Sequence, residues 1–473
     1  MNTIKRITKN MSVLFFSQIL SYILGFLTLT YSARYLGVEG FGILSLALAF
    51  TGIFTIFLEV GMDSLLIREI ACNYNLAKDY TSNAMFLRII LALITFGTIF
   101  LILQILNYNQ GTVVIILIMS VYMIFNSFSQ FFYAIFQAFE KMEYQAVGLI
   151  LTNIILLMGI ILVIQFKGNI IELSSIYVIM ASIMLVYCYV ICYLKLFQPK
   201  SLKKDKLKEL IKEAWPFAVI GISANIYLYI DTLLLSIMQG QVVVGLYSAS
   251  YRLIAVLLFI PLIFSNTLYP VMSKQFNSSK EALKISFEKT LKILMMIAIP
   301  IGIGTILIAD KVILLIYGNE FLGSVIALQI LIWTTVLVFI RQPYGMLLAA
   351  SRKQLTATKI MMIAVVFNII LNLLLIPKYS YIGAGIALIL TEIFILTFVI
   401  MVTKAEFPIP NSIKLDLIKI IIAGTIMGIS INYFINLNLF LLILIGFTIY
   451  CICLIFLKVI DKEETLMIKS IIK

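Results

Sequence analysis

Residues 176–212 read IYVIMASIMLVYCYVICYLKLFQPKSLKKDKLKELIK. The first half of this stretch, Ile176–Leu194, carries no charge and has the length of a bilayer crossing, which takes about 20 apolar residues at about 1.5 Å each. The second half carries Lys195, Lys200, Lys203, Lys204, Lys206, Lys208 and Lys212. An apolar run that stops at a dense lysine joint is what a membrane helix looks like where it enters the cytoplasm.

The same alternation continues in both directions. About fourteen spans of crossing length are expected near 11–33, 41–61, 84–105, 112–136, 146–164, 176–194, 217–238, 242–264, 291–309, 326–349, 360–376, 382–402, 418–434 and 439–457. They are too long for barrel strands and lack period-two alternation, so they read as helices. Residues from AVILMFWYC make up 62% of the chain and charged residues 12%, with a mean hydropathy of +1.11. A water-soluble fold could not hide that much apolar surface, whereas lipid solvates it. The fold class is therefore an all-α integral membrane protein.

Charge fixes the expected orientation. With Lys5, Arg6 and Lys9 in the cytoplasm, the lysine-rich joints all fall on one side. These are the joint quoted above, the joint with Lys274, Lys280, Lys284, Lys289 and Lys292, and the tail with Lys458, Lys462, Lys469 and Lys473. The opposite joints hold only Arg34, Lys167, Lys311 and Lys378. Both termini are expected in the cytoplasm of a multi-pass cell-membrane protein. The net charge of +13 is then a topology signal rather than a nucleic-acid footprint. No histidine is present, which excludes histidine acid–base chemistry and histidine metal sites. The cysteines Cys72, Cys188, Cys192, Cys451 and Cys453 lie in spans or a cytoplasmic joint, so no disulfide framework is expected. No Walker loop, zinc spacing or nucleophile elbow occurs, and a transporter rather than an enzyme is expected.

The chain carries a weak internal repeat. Gly37-x4-Gly42-x2-Ser45 recurs as Gly240-x4-Gly245-x2-Ser248, Ala138-x2-Lys141 as Ala350-x2-Lys353, and Asn153-Ile154-Ile155 as Asn368-Ile369-Ile370. The organisation read from this is a six-span lobe over 1–197, a cytoplasmic linker over 198–214, a second six-span lobe over 215–403, and two further spans with a tail over 404–473. Repeated halves are a transporter signature, with a cavity at their seam. Pro216, Pro261, Pro300 and Pro343 all fall in the second half, so helix bending is expected to concentrate there.

Several stretches resemble the polysaccharide-biosynthesis, or oligosaccharide flippase, branch of the multidrug/oligosaccharidyl-lipid/polysaccharide exporter superfamily. They are Ala33-Arg34-Tyr35-Leu36-Gly37-Val38-Glu39-Gly40-Phe41-Gly42, Ile230-Asp231, and Val244-Gly245-Leu246-Tyr247-Ser248-Ala249. Leu315-Ile316-Tyr317-Gly318-Asn319-Glu320-Phe321 and Asn368-x3-Asn372-x4-Pro377-x5-Gly383-Ala384-Gly385 follow in the family's order. The resemblance implies a MATE-like fold, a V-shaped pair of six-helix bundles around a central cavity. It also implies transport of polyprenyl-pyrophosphate-linked oligosaccharide to the outer leaflet by alternating access. The last two spans would guide the lipid tail, as in lipid-II flippases, and glycosyltransferases or a polymerase of the same pathway would be its partners. The alternatives are a cation-coupled multidrug exporter of the superfamily and a non-transporting scaffold or enzyme of cell-wall assembly.

Against that background the intramembrane charges become candidates. An unpaired charge at mid-depth costs about 2.5–3.5 kcal/mol on insertion scales, so such residues face protein or water. Guanidinium offers a fork of donors that matches phosphate oxygens. Arg252, Arg341, Arg88 and Arg34 are the candidate pyrophosphate contacts; Arg34 and Arg88 fit snorkelling to the interface equally well, and Arg252 is the deepest. Asp231, Glu392 and Glu59 are candidates either for proton or sodium coupling or for pairing with the arginines. No cofactor and no metal site are expected. Asn153, Asn368 and Asn372 read as interhelical bridges, Gly302-x-Gly304 and Gly383-x-Gly385 as sites of close helix contact. Tyr31, Tyr35, Tyr247 and Tyr251 are candidates for stacking on sugar, and the first two fit an interfacial belt as well.

Overall fold

The computed structural model describes residues 3–196, 204–404, 406–407 and 411–459, with side chains at 13–196, 218, 221–404, 406–407 and 413–459. The side chains of Lys5, Arg6, Lys9, Lys200, Lys203, Lys204, Lys206, Lys208, Lys212, Pro216, Lys462, Lys469 and Lys473 lie outside those residues.

Every described element is helical. In chain order they are α1 (Thr3–Glu59), α2 (Met62–Cys72), α3 (Ala77–Ile105), α4 (Gln110–Ala138), α5 (Met142–Gln165), α6 (Ile170–Lys195) and α7 (Lys204–Gln239). These are followed by α8 (Gln241–Leu257), α9 (Phe259–Ser278), α10 (Lys280–Ile316), α11 (Ser324–Ala350), α12 (Gln354–Thr403), α13 (Asn411–Tyr433) and α14 (Leu439–Phe456). Among the described residues, twelve helical stretches are long and apolar enough to cross a membrane. Large apolar side chains such as Leu93 and Phe440, each 72% exposed, cover their outer faces. In water that surface would be untenable, and in a bilayer it meets acyl chains.

Two of these elements are each a pair of helices joined at a kink: α1 covers 57 residues and α12 covers 50. Each contains one non-helical residue: Gly37, with φ 66° and ψ −176°, and Ser380, with φ 53° and ψ −136°. Proline sits inside α9, α10, α11 and α12, at Pro270, Pro300, Pro343 and Pro377. Yet the breaks in α1 and α12 fall on a glycine and a serine. The left-handed conformation reverses the chain more sharply than a missing N–H does.

α2 is the short amphipathic element. Met62, Leu65, Leu66 and Ile70 follow helical spacing and are buried in a core with Tyr80 of α3, Phe131 and Phe136 of α4, and Cys188 of α6. Arg68 and Glu69, on the opposite face, pair with one another. That one-sided pattern packs α2 against the ends of its neighbours.

The chain divides into two compact units at Ser248/Ala249. In the first, α1 packs on α4, α5 and α7, and α4 on α6. In the second, α11 packs on α9, α10 and α12, while α13 lies on α10 and α14.

Some of the matched motif positions share local geometry, of a kind that other helix ends here also adopt, as where the Gly168 N–H closes on Val163. Gly37 and Gly240 both have positive φ, and so do Glu140 and Arg352 (56° and 59°). After each of the latter, the following N–H closes on a carbonyl five residues back: Lys141 on Phe136 and Lys353 on Leu348, both at 2.8 Å. Within the first unit the two glycine motifs also meet. A Cβ on Gly42 would fall on the carbonyl oxygen of Gln241, and a Cβ on Gly245 would fall on that of Val38. Gln241 follows Gly240 as Val38 follows Gly37, so the contact is reciprocal.

This contact leaves no space for a methyl group, because the obstacle on each side is backbone. Gly42→Ala and Gly245→Ala are expected to lower stability by about 1–3 kcal/mol, the usual range for overpacking. Gly97→Ala, whose Cβ would meet nothing within 4 Å, serves as the control and should leave the melting temperature in detergent unchanged or slightly raised.

Candidate functional site

The four candidate arginines have very different surroundings. Arg88 of α3 is fully buried. One of its terminal nitrogens donates to the Ser127 carbonyl on α4 and the other to Asp63 Oδ1, both at 2.7 Å. Its guanidinium carbon lies 5.0 Å from the centre of the Phe131 ring, a cation–π distance. Asp63 reaches Arg88 because Val60 and Gly61 both adopt positive φ and turn the chain from α1 into α2. Glu59, the last residue of α1 and half-buried, lies within electrostatic reach of Asp63 and Arg88. Two carboxylates therefore flank one guanidinium that presents nothing to the surface. Asp63 was not legible as a site residue: it sits in a joint, and nothing in its neighbours marks it as a partner for a residue 25 positions away.

Arg341 of α11 is 24% exposed and its Nε donates to Glu392 Oε2 of α12 at 2.8 Å; Glu392 is 1% exposed. The two candidates, one cationic and one anionic, are thus brought together and neutralise each other. Arg34 lies exposed on α1, three residues before the Gly37 break. Its neighbour Tyr35 donates to the Gly168 carbonyl at 2.8 Å.

Arg252, on α8, is half-buried. Among the described residues its guanidinium has neither an ion pair nor a hydrogen bond. Asp231 of α7 is buried and accepts a 3.0 Å hydrogen bond from the Tyr247 phenol of α8. The buried Tyr247 is therefore engaged with Asp231, whereas Tyr31 is exposed.

Of the asparagines expected to bridge helices, Asn368 does so, whereas the Asn153–Leu149 and Asn372–Asn368 bonds run within their own helices. Asn368 donates to the Thr391 hydroxyl at 3.3 Å across the two arms of α12, and Asn372 donates to the Asn368 carbonyl at 3.0 Å. Asn153 donates to Leu149 and its Oδ1 stands where a Cβ on Gly25 would touch it. Gly302 and Gly385 lie against Val336 and Ile330 of α11, and Gly383 against the backbone of Leu375.

A further buried pair was hidden in the positive-inside pattern. Lys292 of α10 is 6% exposed and lies 3.5 Å from Asp416 of α13. Lys311 Nζ donates to the Leu437 carbonyl at 3.0 Å, and the Tyr450 hydroxyl to that of Met296 at 2.8 Å. A lateral groove of about 320 Å³ between α3, α4 and α6, lined by Met85, Ile89, Phe128, Phe132, Val186 and Tyr189 among others, holds none of the candidates.

The sequence profile of the polysaccharide biosynthesis protein family matches residues 7–276. The chain belongs to this family. A second profile, MatE, matches residues 216–374. Among curated relatives, the capsular polysaccharide biosynthesis protein CapF of Staphylococcus aureus is 24% identical over 81% of this chain and 96% of its own length. The probable low-salt glycan biosynthesis flippase Agl15 of Haloferax volcanii is 25% identical over 79% of this chain and 78% of its own. Among solved structures, a lipid II flippase MurJ in an inward closed conformation superposes with a TM-score of 0.79 at 18% identity, covering 94% of this chain and 98% of that one. An inward-facing multidrug resistance MATE transporter gives 0.66 at 15% identity over 82% and 95%. These likenesses give this polysaccharide biosynthesis family member a MurJ- and MATE-like fold, that of a multi-pass integral membrane protein.

Arg88 is fully buried beside a partly buried Asp63, and removing one member would strand the other. Arg88→Met is expected to cost about 3–5 kcal/mol, read as a large fall in thermal stability in detergent. The Lys353–Glu406 pair, at 2.6 Å but substantially exposed on both sides, is the contrast: the Lys353 hydrogen bond holds the Glu406 carboxyl below the usual carboxylate range. Its contribution is present at neutral pH and lost as pH falls through that lowered value. Lys353→Met should leave thermal stability almost unmoved.

Proposed function

We propose that this chain is a flippase that carries polyprenyl-pyrophosphate-linked oligosaccharide from the cytoplasmic to the outer leaflet, by alternating access, for assembly of a cell-surface glycan. The observation that carries this reading is Arg252. It is a half-buried guanidinium in a membrane-spanning stretch with neither an ion pair nor a hydrogen bond among the described residues, in a member of a polysaccharide biosynthesis family. A cation at that depth is costly unless something answers it, and a pyrophosphate supplies the oxygens its fork is shaped to bind. The names of CapF and Agl15 support a glycan pathway, and that of the lipid II flippase supports a lipid-linked cargo.

The multidrug-exporter reading has less support. A cationic drug calls for free carboxylates, and here Glu392 is matched to Arg341 and Asp63 to Arg88. Asp231, which accepts from Tyr247, and Glu59, beside Asp63 and Arg88, are the candidates for proton or sodium coupling.

Liposomes containing a fluorescent lipid-linked oligosaccharide test the cargo. Wild type is expected to speed its transbilayer movement, and Arg252→Ala to slow it about tenfold or more, the loss of one charge-assisted hydrogen bond. Equal rates for the two proteins would remove Arg252 from the mechanism, and an inert wild type under every imposed gradient would count against the function. Acceleration by a proton or sodium gradient that Asp231→Asn abolishes would assign coupling to that residue.

We also propose fourteen crossings with both termini cytoplasmic. Counting α1 and α12 as two crossings each, on either side of Gly37 and Ser380, raises the twelve apolar stretches to that number. Fluorescent-protein fusions at either terminus should glow and alkaline phosphatase fusions there should be inactive. The opposite result at one terminus would mean an odd number of crossings.

A further inference from the structure

The stretch Leu315-Ile316-Tyr317-Gly318-Asn319-Glu320-Phe321 closes α10 and turns the chain into α11. Gly318, with φ 93°, supplies the left-handed residue that the turn needs. The corner is held by its own backbone: the N–H groups of Tyr317 and Gly318 close on Ile313 and Leu314. The rings of Tyr317 and Phe321 lie 5.2 Å apart and are almost fully buried.

The Tyr317 hydroxyl takes no part in that closure. It donates to the Ala249 carbonyl of α8 at 3.1 Å. The next residue, Ser250, is fully buried and donates from Oγ to the Ser324 carbonyl at the start of α11, at 2.7 Å. Two consecutive residues of α8 are thus tied to one corner, although a carbonyl inside a helix is already served by helical bonding. Three residues beyond Ala249, on the same face and about 4.5 Å along the axis, stands Arg252. Tyr317 lies within its electrostatic reach.

We infer that Tyr317 is a positioning residue: its hydroxyl, together with the Ser250–Ser324 bond, fixes this turn of α8 so that the Arg252 guanidinium meets a pyrophosphate in a two-pronged pose. The inference rests on the reading of Arg252 given under Proposed function. A flexible cation attracts any phosphate, whereas a fixed fork discriminates by geometry. Selectivity is therefore the property this corner confers.

The test measures binding of undecaprenyl pyrophosphate and of undecaprenyl monophosphate to the full chain in nanodiscs. Tyr317→Phe keeps the ring and its packing and deletes only the hydroxyl. It is expected to weaken pyrophosphate binding about three- to tenfold, the range of one hydrogen bond. Monophosphate binding should be nearly unchanged, so the preference between the two shrinks. In an Arg252→Ala background, Tyr317→Phe should have no further effect on either ligand, because the group it positions is gone. Ser250→Ala is the second route to the same loosening and carries the cycle if Tyr317→Phe proves unstable. Equal weakening of both ligands, or the same loss with and without Arg252, would reduce Tyr317 to a packing residue and overturn the inference while leaving Arg252 as a contact. Unchanged binding by Arg252→Ala alone would overturn both this inference and the reading beneath it.

Discussion

A charge carried into hydrocarbon has to be answered by an opposite charge, a carbonyl or water, and that requirement organises the polar interior of this protein. Arg88 is answered by Asp63 and the Ser127 carbonyl, Arg341 by Glu392, and Lys292 by Asp416. Each pair joins two helices whose apolar faces alone would leave their sliding position poorly defined, since lipid is as good a neighbour for leucine as another leucine is. Once these pairs are formed, Arg252 stands apart among the described residues. The functional reading grows from that remainder rather than from any motif of catalysis.

The left-handed turns at Glu140 and Arg352 close on a carbonyl five residues back, as the turns at Lys167 and Lys458 also do, so this geometry belongs to helix ends in general. Gly42 and Gly245 are held more tightly, because their neighbours are backbone atoms that no change of side chain can move.

Much of the architecture could be read from hydropathy because a crossing leaves a long, uncharged signature. The breaks at Gly37 and Ser380 fall within the joints read at 34–40 and 377–381, but their tightness could not be read, since a hydropathy window registers a polar joint without saying how the chain turns. For the same reason α2 was missed: Met62, Leu65, Leu66 and Ile70 form a buried face only at helical spacing, within a stretch too polar to count as a span. The positions of the candidate arginines were legible, but their partners were not. Asp63 and Asp416 lie in or near joints, far along the chain from Arg88 and Lys292, and pairing is a property of the packed helices. Lys292 shows the cost of reading charge by side alone, because it counts toward orientation in the sequence and serves as a buried tie in the structure.

That tie bears on the last two helices, α13 and α14. They are joined to α10 at Lys292–Asp416, at Lys311–Leu437 and at Tyr450–Met296, so the long helix beneath them has come to depend on their presence. A descendant that lacked this hairpin would leave the Lys292 ammonium without Asp416, so loss of the hairpin and neutralisation of that lysine are coupled changes.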